Sequence, residues 1–258
     1  MLTFKQLGNY GRLGNQIFQY ATLRSVGIKL NLPIKIPNGN YDLLNFDIYK
    51  DYLTKEDFGI VNNSYNEECF HFSDKIFNIK DNTDLSGYFQ SAKYFDNIRH
   101  VLLKEIYCSY LDDLCNECIC NIKSVHNCSI TSVHVRRGDY VNYPRVHPVC
   151  GIKYYQDNLN KINDNIFIVF SDDINWCKNN LIFENKVILY QNNGDLYDFV
   201  LMSKCDNNII SNSSYSWWAA YLNQNKNKII KYPKVWFGID GPKDTYDLIP
   251  QDWSSDEK

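Results

Sequence analysis

The sequence has no excess of positive charge, no membrane-length apolar run and no apolar leader. Its 258 residues carry a formal net charge of −3, so it lacks the basic surface typical of nucleic-acid-binding proteins, and we expect no nucleic-acid partner. No apolar stretch reaches the roughly 18–20 residues that a membrane-spanning helix needs. Residues 1–6 lack the apolar core of a secretory signal peptide. We therefore expect a cytoplasmic protein. Peripheral contact with a membrane surface is compatible with this expectation.

Cysteine is not scarce, but its pattern does not match a common metal site. The nine cysteines are an odd number, and without an export signal they are expected to be reduced thiols that pack as small apolar side chains. Cys115, Cys118, Cys120 and Cys128 are closely spaced. They contain a single good Cys-x-x-Cys pair, whereas structural zinc sites usually combine two such pairs. Whether this cluster binds anything is left open.

Strand-like and helix-like segments alternate along the chain, which predicts an α/β fold. Residues 166–170 form an uninterrupted apolar run, as expected for a parallel strand buried on both faces. The length allows two domains. The polar, cysteine-rich stretch 112–127 resembles a linker, so we predict an N-terminal domain at 1–125 and a C-terminal domain at 126–258.

Four polar segments fall where α/β folds bind ligands, at the carboxyl ends of strands and the amino termini of helices. Plain structural alternatives exist for them, namely a tight turn for the first and helix capping by Ser171 or Asp172 for the third. The segments are residues 8–16, 134–139, 170–173 and 212–218.

Two adjacent arginines, Arg136 and Arg137, end a predicted strand. Each guanidinium presents a planar fork of donors that matches phosphate oxygens two at a time. The alternative is an ordinary surface ion pair with Asp139. The chain contains no Asp-x-Asp pair, with which many glycosyltransferases hold a metal against a nucleotide diphosphate. The arginines could supply that positive charge, which predicts a site that works without metal.

In this order, the segments resemble the α-1,2-fucosyltransferases of glycosyltransferase family 11. Residues 11–21 are similar to the N-terminal signature of the family, and residues 87–91 to a central one. Residues 134–140 match the H-x-R-R-x-D motif, which the family shares with α-1,6- and protein O-fucosyltransferases. Residues 170–173 and 208–222 match later motifs. The resemblance spans about residues 2–237.

The resemblance implies a GT-B fold of two Rossmann-like domains that face a cleft. The N-terminal domain would shape the acceptor side, and the C-terminal domain would bind GDP-fucose. The reaction would transfer L-fucose from GDP-β-L-fucose, with inversion and without metal, to the 2-hydroxyl of a terminal galactose in a glycan. The partners would then be GDP-fucose and a glycan that ends in a β-galactoside. Two alternatives are a fucosyltransferase of another linkage class and a non-catalytic module that binds nucleotide sugars or glycans.

The resemblance also implies roles for individual residues. Arg136 would be the main partner of the diphosphate and, with Asn15, part of the catalytic set. The donor-binding residues would be His134 and Arg137 at the diphosphate, Asp172 near the nucleoside, Ser213, Ser214 and Tyr215 at the phosphates, and Arg12 beside the reacting centre.

The general base is left open between two residues. Asp139 is the carboxylate of the arginine motif, although it could instead orient an arginine or His134. His147 follows on a nearby loop, and its ordinary pKa suits a base at neutral pH. The related α-1,6 enzymes have a glutamate five residues after the motif aspartate. Pro144 stands at that position here, so their base does not transfer to this chain.

Overall fold

The computed structural model of the chain describes residues 1–54, 58–59, 61–126, 128–162, 166–181, 187–191 and 193–253. Residue contacts divide the chain into two compact units. Unit 1 contains Met1–Ser109 and takes back Lys243–Gln251 from near the end of the chain. Unit 2 contains Tyr110–Pro242, followed by Asp252 and Trp253.

Unit 1 is built on a parallel five-stranded sheet in the order β3-β2-β1-β5-β4. The strands are short, which explains why the sequence signal is weak over much of residues 38–80. Short 3-10 helices lie between several of them. The strands are β1 Leu2–Thr3, β2 Ile34–Pro37, β3 Leu53–Thr54, β4 Asn63–Asn66 and β5 Thr83–Ser86, and the helices are α1 Leu13–Leu30 and α2 Arg99–Glu105.

Unit 2 has a second parallel five-stranded sheet, in the order β10-β9-β6-β7-β8. Its two central strands, β6 (Ile130–Val135) and β7 (Ile166–Ser171), are buried at every position. Their apolar side chains pack against helix α4, in a core that includes Tyr155 and Leu159. The other elements are α3 Ser109–His126, α4 Ile152–Lys161, α5 Ile174–Asn180, β8 Val187–Gln191, α6 Asp195–Lys204, β9 Asn207–Ile209, α7 Ser214–Leu222 and β10 Ile230–Lys231.

The predicted linker at residues 112–127 is the helix α3 as far as His126, and Asn127 lies outside the described residues. Its buried residues Leu111, Cys115 and Ile119 are spaced four apart and form one helical stripe. The polar composition therefore belongs to the exposed face of a helix. The division between the units falls at the start of α3, and thus differs from the predicted boundary between residues 125 and 126.

Within the described part of the chain, no helix combines the length and the apolar character that crossing a membrane requires.

Candidate functional site

The register of β6 against β7 brings the arginine motif beside the acidic segment. The two strands run parallel, with Val135 opposite Ser171 at their last positions. Arg136 and Asp172 follow directly, so both leave the sheet at the same carboxyl edge. This is the edge at which parallel α/β sheets bind ligands.

Arg136 is held between two carboxylates. Its Nη1 lies 2.6 Å from Asp172 Oδ2, and its Nη2 pairs with Asp139 Oδ1. The guanidinium carbon also lies 5.1 Å from the centroid of the Tyr140 ring. Only 16% of the side chain is exposed, so the guanidinium fork is fixed in place before any ligand arrives.

Asp172 is fixed from a second direction as well. Its Oδ1 accepts a hydrogen bond from the backbone N–H of Arg137, at 2.9 Å. A Cβ atom on Gly138 would collide with Asp172 Oδ2, so the absence of a side chain at Gly138 permits this close approach. The Asp172 carboxylate therefore ties the arginine loop to the end of β7.

Arg137 makes a separate pair of contacts. Its Nε lies 3.1 Å from Asp173 Oδ2, and its guanidinium carbon lies 4.1 Å from the ring centroid of Trp176. Asp173 Oδ1 also accepts from the backbone N–H of Trp176 and so caps helix α5. The helix cap is thus Asp173 rather than Ser171 or Asp172, and Asp172 is left to bind the arginine loop.

His134 is buried and neutral. Its Nδ1 lies 2.8 Å from Ser211 Oγ, at the end of β9. Burial, and then the nearby charge of Arg136, lower the pKa of His134 to about 3. At neutral pH, His134 can therefore offer a phosphate a hydrogen bond but no charge.

Helix α7 begins at the serine pair, in agreement with the prediction that segment 212–218 lies at the amino terminus of a helix. Ser213 is the N-cap residue, yet its side chain makes no capping hydrogen bond. Tyr215 donates its hydroxyl proton to the carbonyl oxygen of Asp195, and burial raises its pKa well above 10. The ring centroid of Tyr215 lies 5.3 Å from that of His134. The helix start is therefore a neighbour of the arginine motif through His134.

Both candidate bases lie around Arg136. The ring of His147 stacks on Tyr140, with centroids 4.6 Å apart, and Tyr140 in turn lies against Arg136. Burial lowers the pKa of His147, an effect that the Asp139 carboxylate opposes. His147 Nδ1 is buried and has no hydrogen-bond partner among the described residues. Asp139 and His147 therefore lie in the same group of loops, and their positions favour neither one as the general base.

Unit 1 has its own polar edge around the start of α1. Asn15 Oδ1 accepts from Gln90 Nε2 at 2.8 Å, which joins two motif segments that are far apart in sequence. Tyr10 stacks on Tyr88, with centroids 4.7 Å apart. Arg12 is exposed at the N-cap position of α1. Arg12 and Asn15 thus belong to unit 1, whereas the other predicted site residues belong to unit 2.

Glu67, which is not among the predicted site residues, organises this edge of unit 1. Its carboxylate accepts from the backbone N–H groups of Tyr88 (2.7 Å) and Phe89 (2.9 Å). Phe89 has a φ of +52°, a left-handed conformation that this carboxylate helps to hold. Burial raises the pKa of Glu67 to about 7. Glu67 lies in the region of weak sequence signal and carries no motif of its own. Ser211 and Trp176 also belong to no predicted set, because their contacts with His134 and Arg137 depend on strand register and side-chain rotamers.

The four closely spaced cysteines do not form a metal-binding group in the described part of the chain. Cys115, Cys118 and Cys120 all lie on α3, where Cys115 is buried and Cys120 is exposed. Cys115 and Cys118 are three positions apart and share one face of the helix, whereas Cys120 is two positions beyond Cys118 and lies on the opposite face, so the three sulfurs do not converge on one point.

The chain matches one family model and several known proteins over most of its length. The family model described as Glycosyl transferase family 11 matches residues 5–236. The O-antigen biosynthesis glycosyltransferase WbnK of Escherichia coli is 32% identical, over 88% of this chain and 93% of its own length. An alpha-1,2-colitosyltransferase of Escherichia coli is 31% identical, over 96% and 97%. Galactoside alpha-(1,2)-fucosyltransferase 2 of Hylobates lar is 27% identical, over 82% of this chain and 67% of its own length.

Among solved structures, the chain is similar to Arabidopsis thaliana FUT1 in complex with GDP. The TM-score is 0.52 at 10% sequence identity, over 90% of this chain and 70% of that one. At such low identity the likeness concerns the fold alone. Together with the two parallel sheets, it confirms the predicted α/β fold of the GT-B type, with two Rossmann-like domains.

Proposed function

This chain belongs to glycosyltransferase family 11, and from that membership we propose that it transfers L-fucose from GDP-β-L-fucose to the 2-hydroxyl of a terminal galactose. The product would be an α-1,2-linked fucoside, formed with inversion and without a metal. The observation that carries the proposal is the Arg136 guanidinium, held by Asp139 and Asp172 at the carboxyl edge of the unit 2 sheet. Two curated relatives named as α-1,2-transferases support the linkage.

Arg136 suits the leaving group of this reaction. As the bond between the fucose C1 and the phosphate oxygen breaks, negative charge builds up on the departing GDP. A cation that is already oriented stabilises that charge without a cost of reorganisation. Arg137, with the first-turn N–H groups of α7 behind Ser213 and Ser214, would bind the remaining phosphate oxygens. His134 would add a neutral hydrogen bond, and Asp172 would lie near the nucleoside.

On the acceptor side, the galactose 2-hydroxyl oxygen bonds to C1 on the face opposite the departing phosphate. Its proton must pass to a base. We assign the base to Asp139, since it lies on the donor motif and is accessible, with 46% of its side chain exposed. His147 is the competing assignment, because its lowered pKa keeps it neutral and able to accept a proton at pH 7. Asn15 and Arg12 would border the reacting centre.

A second donor has a specific observation in its favour. A relative that matches 96% of this chain is named as an alpha-1,2-colitosyltransferase. Colitose is the 3-deoxy form of L-fucose, so the two donors differ by one hydroxyl group. A site that hydrogen-bonds this hydroxyl can discriminate by about 10⁴–10⁵, whereas an apolar site discriminates weakly. GDP-colitose is therefore the donor to compare with GDP-fucose.

The test is incubation of the protein with each donor and a panel of β-galactosides, in the presence of EDTA. We expect fucose transfer, and a new α-1,2 linkage in the product by NMR. A different linkage would favour another fucosyltransferase class. Transfer from GDP-colitose but not from GDP-fucose would show that GDP-colitose is the donor. Binding of GDP without transfer to any acceptor would support the non-catalytic alternative, and dependence on added Mn²⁺ would contradict the metal-free mechanism.

A further inference from the structure

Three side chains of unit 1 that belong to none of the motif segments lie close together. Cys69 Sγ is 3.4 Å from His71 Nε2, and His71 Nδ1 is 3.0 Å from Asp244 Oδ2. In the part of the chain that the structure describes, they are the group of three or more His, Cys, Asp or Glu side chains whose ligand atoms lie close enough together to hold a metal ion. One ligand atom from each residue lies within 4.8 Å of the other two.

The compact shape of the group argues against a relay of nucleophile, base and carboxylate. In such a relay, the two ring nitrogens of the histidine point to opposite sides. The sulfur and the carboxylate oxygen would then lie far apart across the ring. Here Cys69 and Asp244 approach each other within 4.8 Å, so the three ligand atoms form a triangle.

From this geometry we propose that Cys69, His71 and Asp244 bind a divalent cation of the Zn²⁺ type. Zn²⁺ accepts sulfur, nitrogen and oxygen ligands, at about 2.3, 2.0–2.1 and 2.0–2.2 Å, and a fourth position would be filled by water. Tetrahedral angles at those lengths put ligand atoms about 3.3–3.6 Å apart. His71 would bind the ion through Nε2, whose separation of 3.4 Å from Cys69 Sγ is already in this range. The 3.0 Å contact of Asp244 is to the other ring nitrogen, Nδ1, so the Asp244 carboxylate would turn from Nδ1 toward the ion.

The surroundings of the group suit a cation. His71 and Asp244 are 30% and 41% exposed, so an ion can reach them from solvent. The carboxylates of Asp244, Glu67 and Glu68 all act electrostatically on Cys69 and give the group a negative field. The same negative field attracts a dication, and coordination to it would deprotonate the thiol. Lys75 opposes this field but is paired with Glu68 at 2.6 Å.

The ion would fasten the returning segment Lys243–Gln251 to unit 1. Asp244 is separated from His71 by 173 positions in sequence. The contacts that already join the two stretches include hydrogen bonds from the backbone N–H of Phe70 to Asp244 and from that of Phe72 to Asp247. A metal bond across such a long loop stabilises the folded chain, because the unfolded chain cannot keep these ligands together.

The proposal is tested with Co²⁺, Zn²⁺ and the full-length protein in a reducing buffer. Co²⁺ bound to a thiolate gives a near-ultraviolet charge-transfer band, so we expect this band in the wild type, and its displacement by one equivalent of Zn²⁺. Zn²⁺ at a hundredfold excess over its Kd should raise the Tm by about 5–10 °C. Because the readouts are spectroscopic and thermal, they are independent of the proposed sugar transfer.

Matched serine variants separate this site from the other thiols. Cys69→Ser should abolish the band and weaken Zn²⁺ binding by at least about tenfold, and Asp244→Asn should also weaken it. Cys120→Ser, which changes an exposed cysteine on α3, should leave the band and the Tm shift unchanged. The proposal is overturned by absence of the band in the wild type, by its survival in Cys69→Ser, or by its loss in Cys120→Ser. If Cys69→Ser does not fold, the proposal is decided by the band in the wild type and by Zn²⁺ binding to Asp244→Asn, and unchanged binding in that variant would overturn it.

Discussion

The carboxyl edges of the two sheets carry different chemistry. In unit 2, the edge presents two arginines paired with three carboxylates, Asp139, Asp172 and Asp173. In unit 1, the edge presents amides and stacked tyrosines, with one exposed arginine at the start of α1. Fixed charge suits a leaving nucleoside diphosphate, whereas amides and aromatic rings suit the hydroxyl groups and apolar faces of sugars. The difference is the one expected if, as we propose, unit 2 binds the donor and unit 1 the acceptor.

The largest effect is expected from Arg136→Ala. Loss of a preorganised donor to the transition state should lower kcat by at least about 10²–10³. Arg136→Lys should restore little, because one ammonium group cannot reproduce the fork. Arg145→Ala is the matched control, since Arg145 also pairs with an aspartate in unit 2 but is 69% exposed. Steady-state kinetics on all three variants makes the comparison, and Arg136 variants within a few-fold of wild type would remove Arg136 from the diphosphate site.

Asp139→Asn should lower transfer by about 10²-fold or more, because it keeps the shape of the side chain and removes the base. GDP affinity, measured by calorimetry, should stay near that of the wild type. If GDP affinity falls together with transfer, the carboxylate instead serves to hold Arg136. If neither changes, the base is His147 or another group, and His147→Asn becomes the decisive variant.

The paired change of Ser213 and Ser214 to alanine should weaken GDP binding by about 1–3 kcal/mol, the value of one or two hydrogen bonds. Thermal stability should change little, because the Ser213 side chain makes no capping hydrogen bond. Calorimetric titration and thermal melts on the same preparation separate the two roles. A lower Tm with unchanged GDP affinity would show that the serines act only on the helix.

The smallest effect concerns acid stability. The pKa of His134 is about 3 in the folded protein and near 6.5 when unfolded, so the folded state prefers the neutral ring. The resulting stability is present above pH 6.5 and is lost as pH falls toward 3, by about 2 kcal/mol at pH 5. Urea unfolding at pH 7.5 and pH 5 should show a smaller loss for His134→Asn than for the wild type. The exposed His100 provides the control, since His100→Asn should behave like the wild type.

The sequence was most informative where a motif coincides with a buried element. The strand-like stretch that ends in Val135 and the apolar run that ends in Phe170 predicted β6 and β7, and the parallel pairing of these strands accounts for the meeting of Arg136 and Asp172. The actual partners were not predictable, since Ser211 for His134 and Trp176 for Arg137 depend on register and side-chain rotamers.

The sequence was least informative in unit 1. Its strands are two to four residues long, too short for a periodic pattern. Glu67 binds two backbone N–H groups that follow the neighbouring strand β5, and Asp244 meets His71 across most of the chain. Contacts of this kind depend on the tertiary path of the backbone. The helix α3 was mistaken for a linker because its apolar stripe contains only one residue per turn.

The division between a donor side and an acceptor side is tested most directly by calorimetric titration of GDP into three proteins: the wild type, Arg136→Ala and Asn15→Ala. Asn15 lies on unit 1, where it is bonded to Gln90. We predict that Arg136→Ala loses measurable GDP binding, and that Asn15→Ala keeps the wild-type affinity while it loses transfer. Wild-type GDP affinity in Arg136→Ala, or loss of GDP binding in Asn15→Ala, would contradict the account.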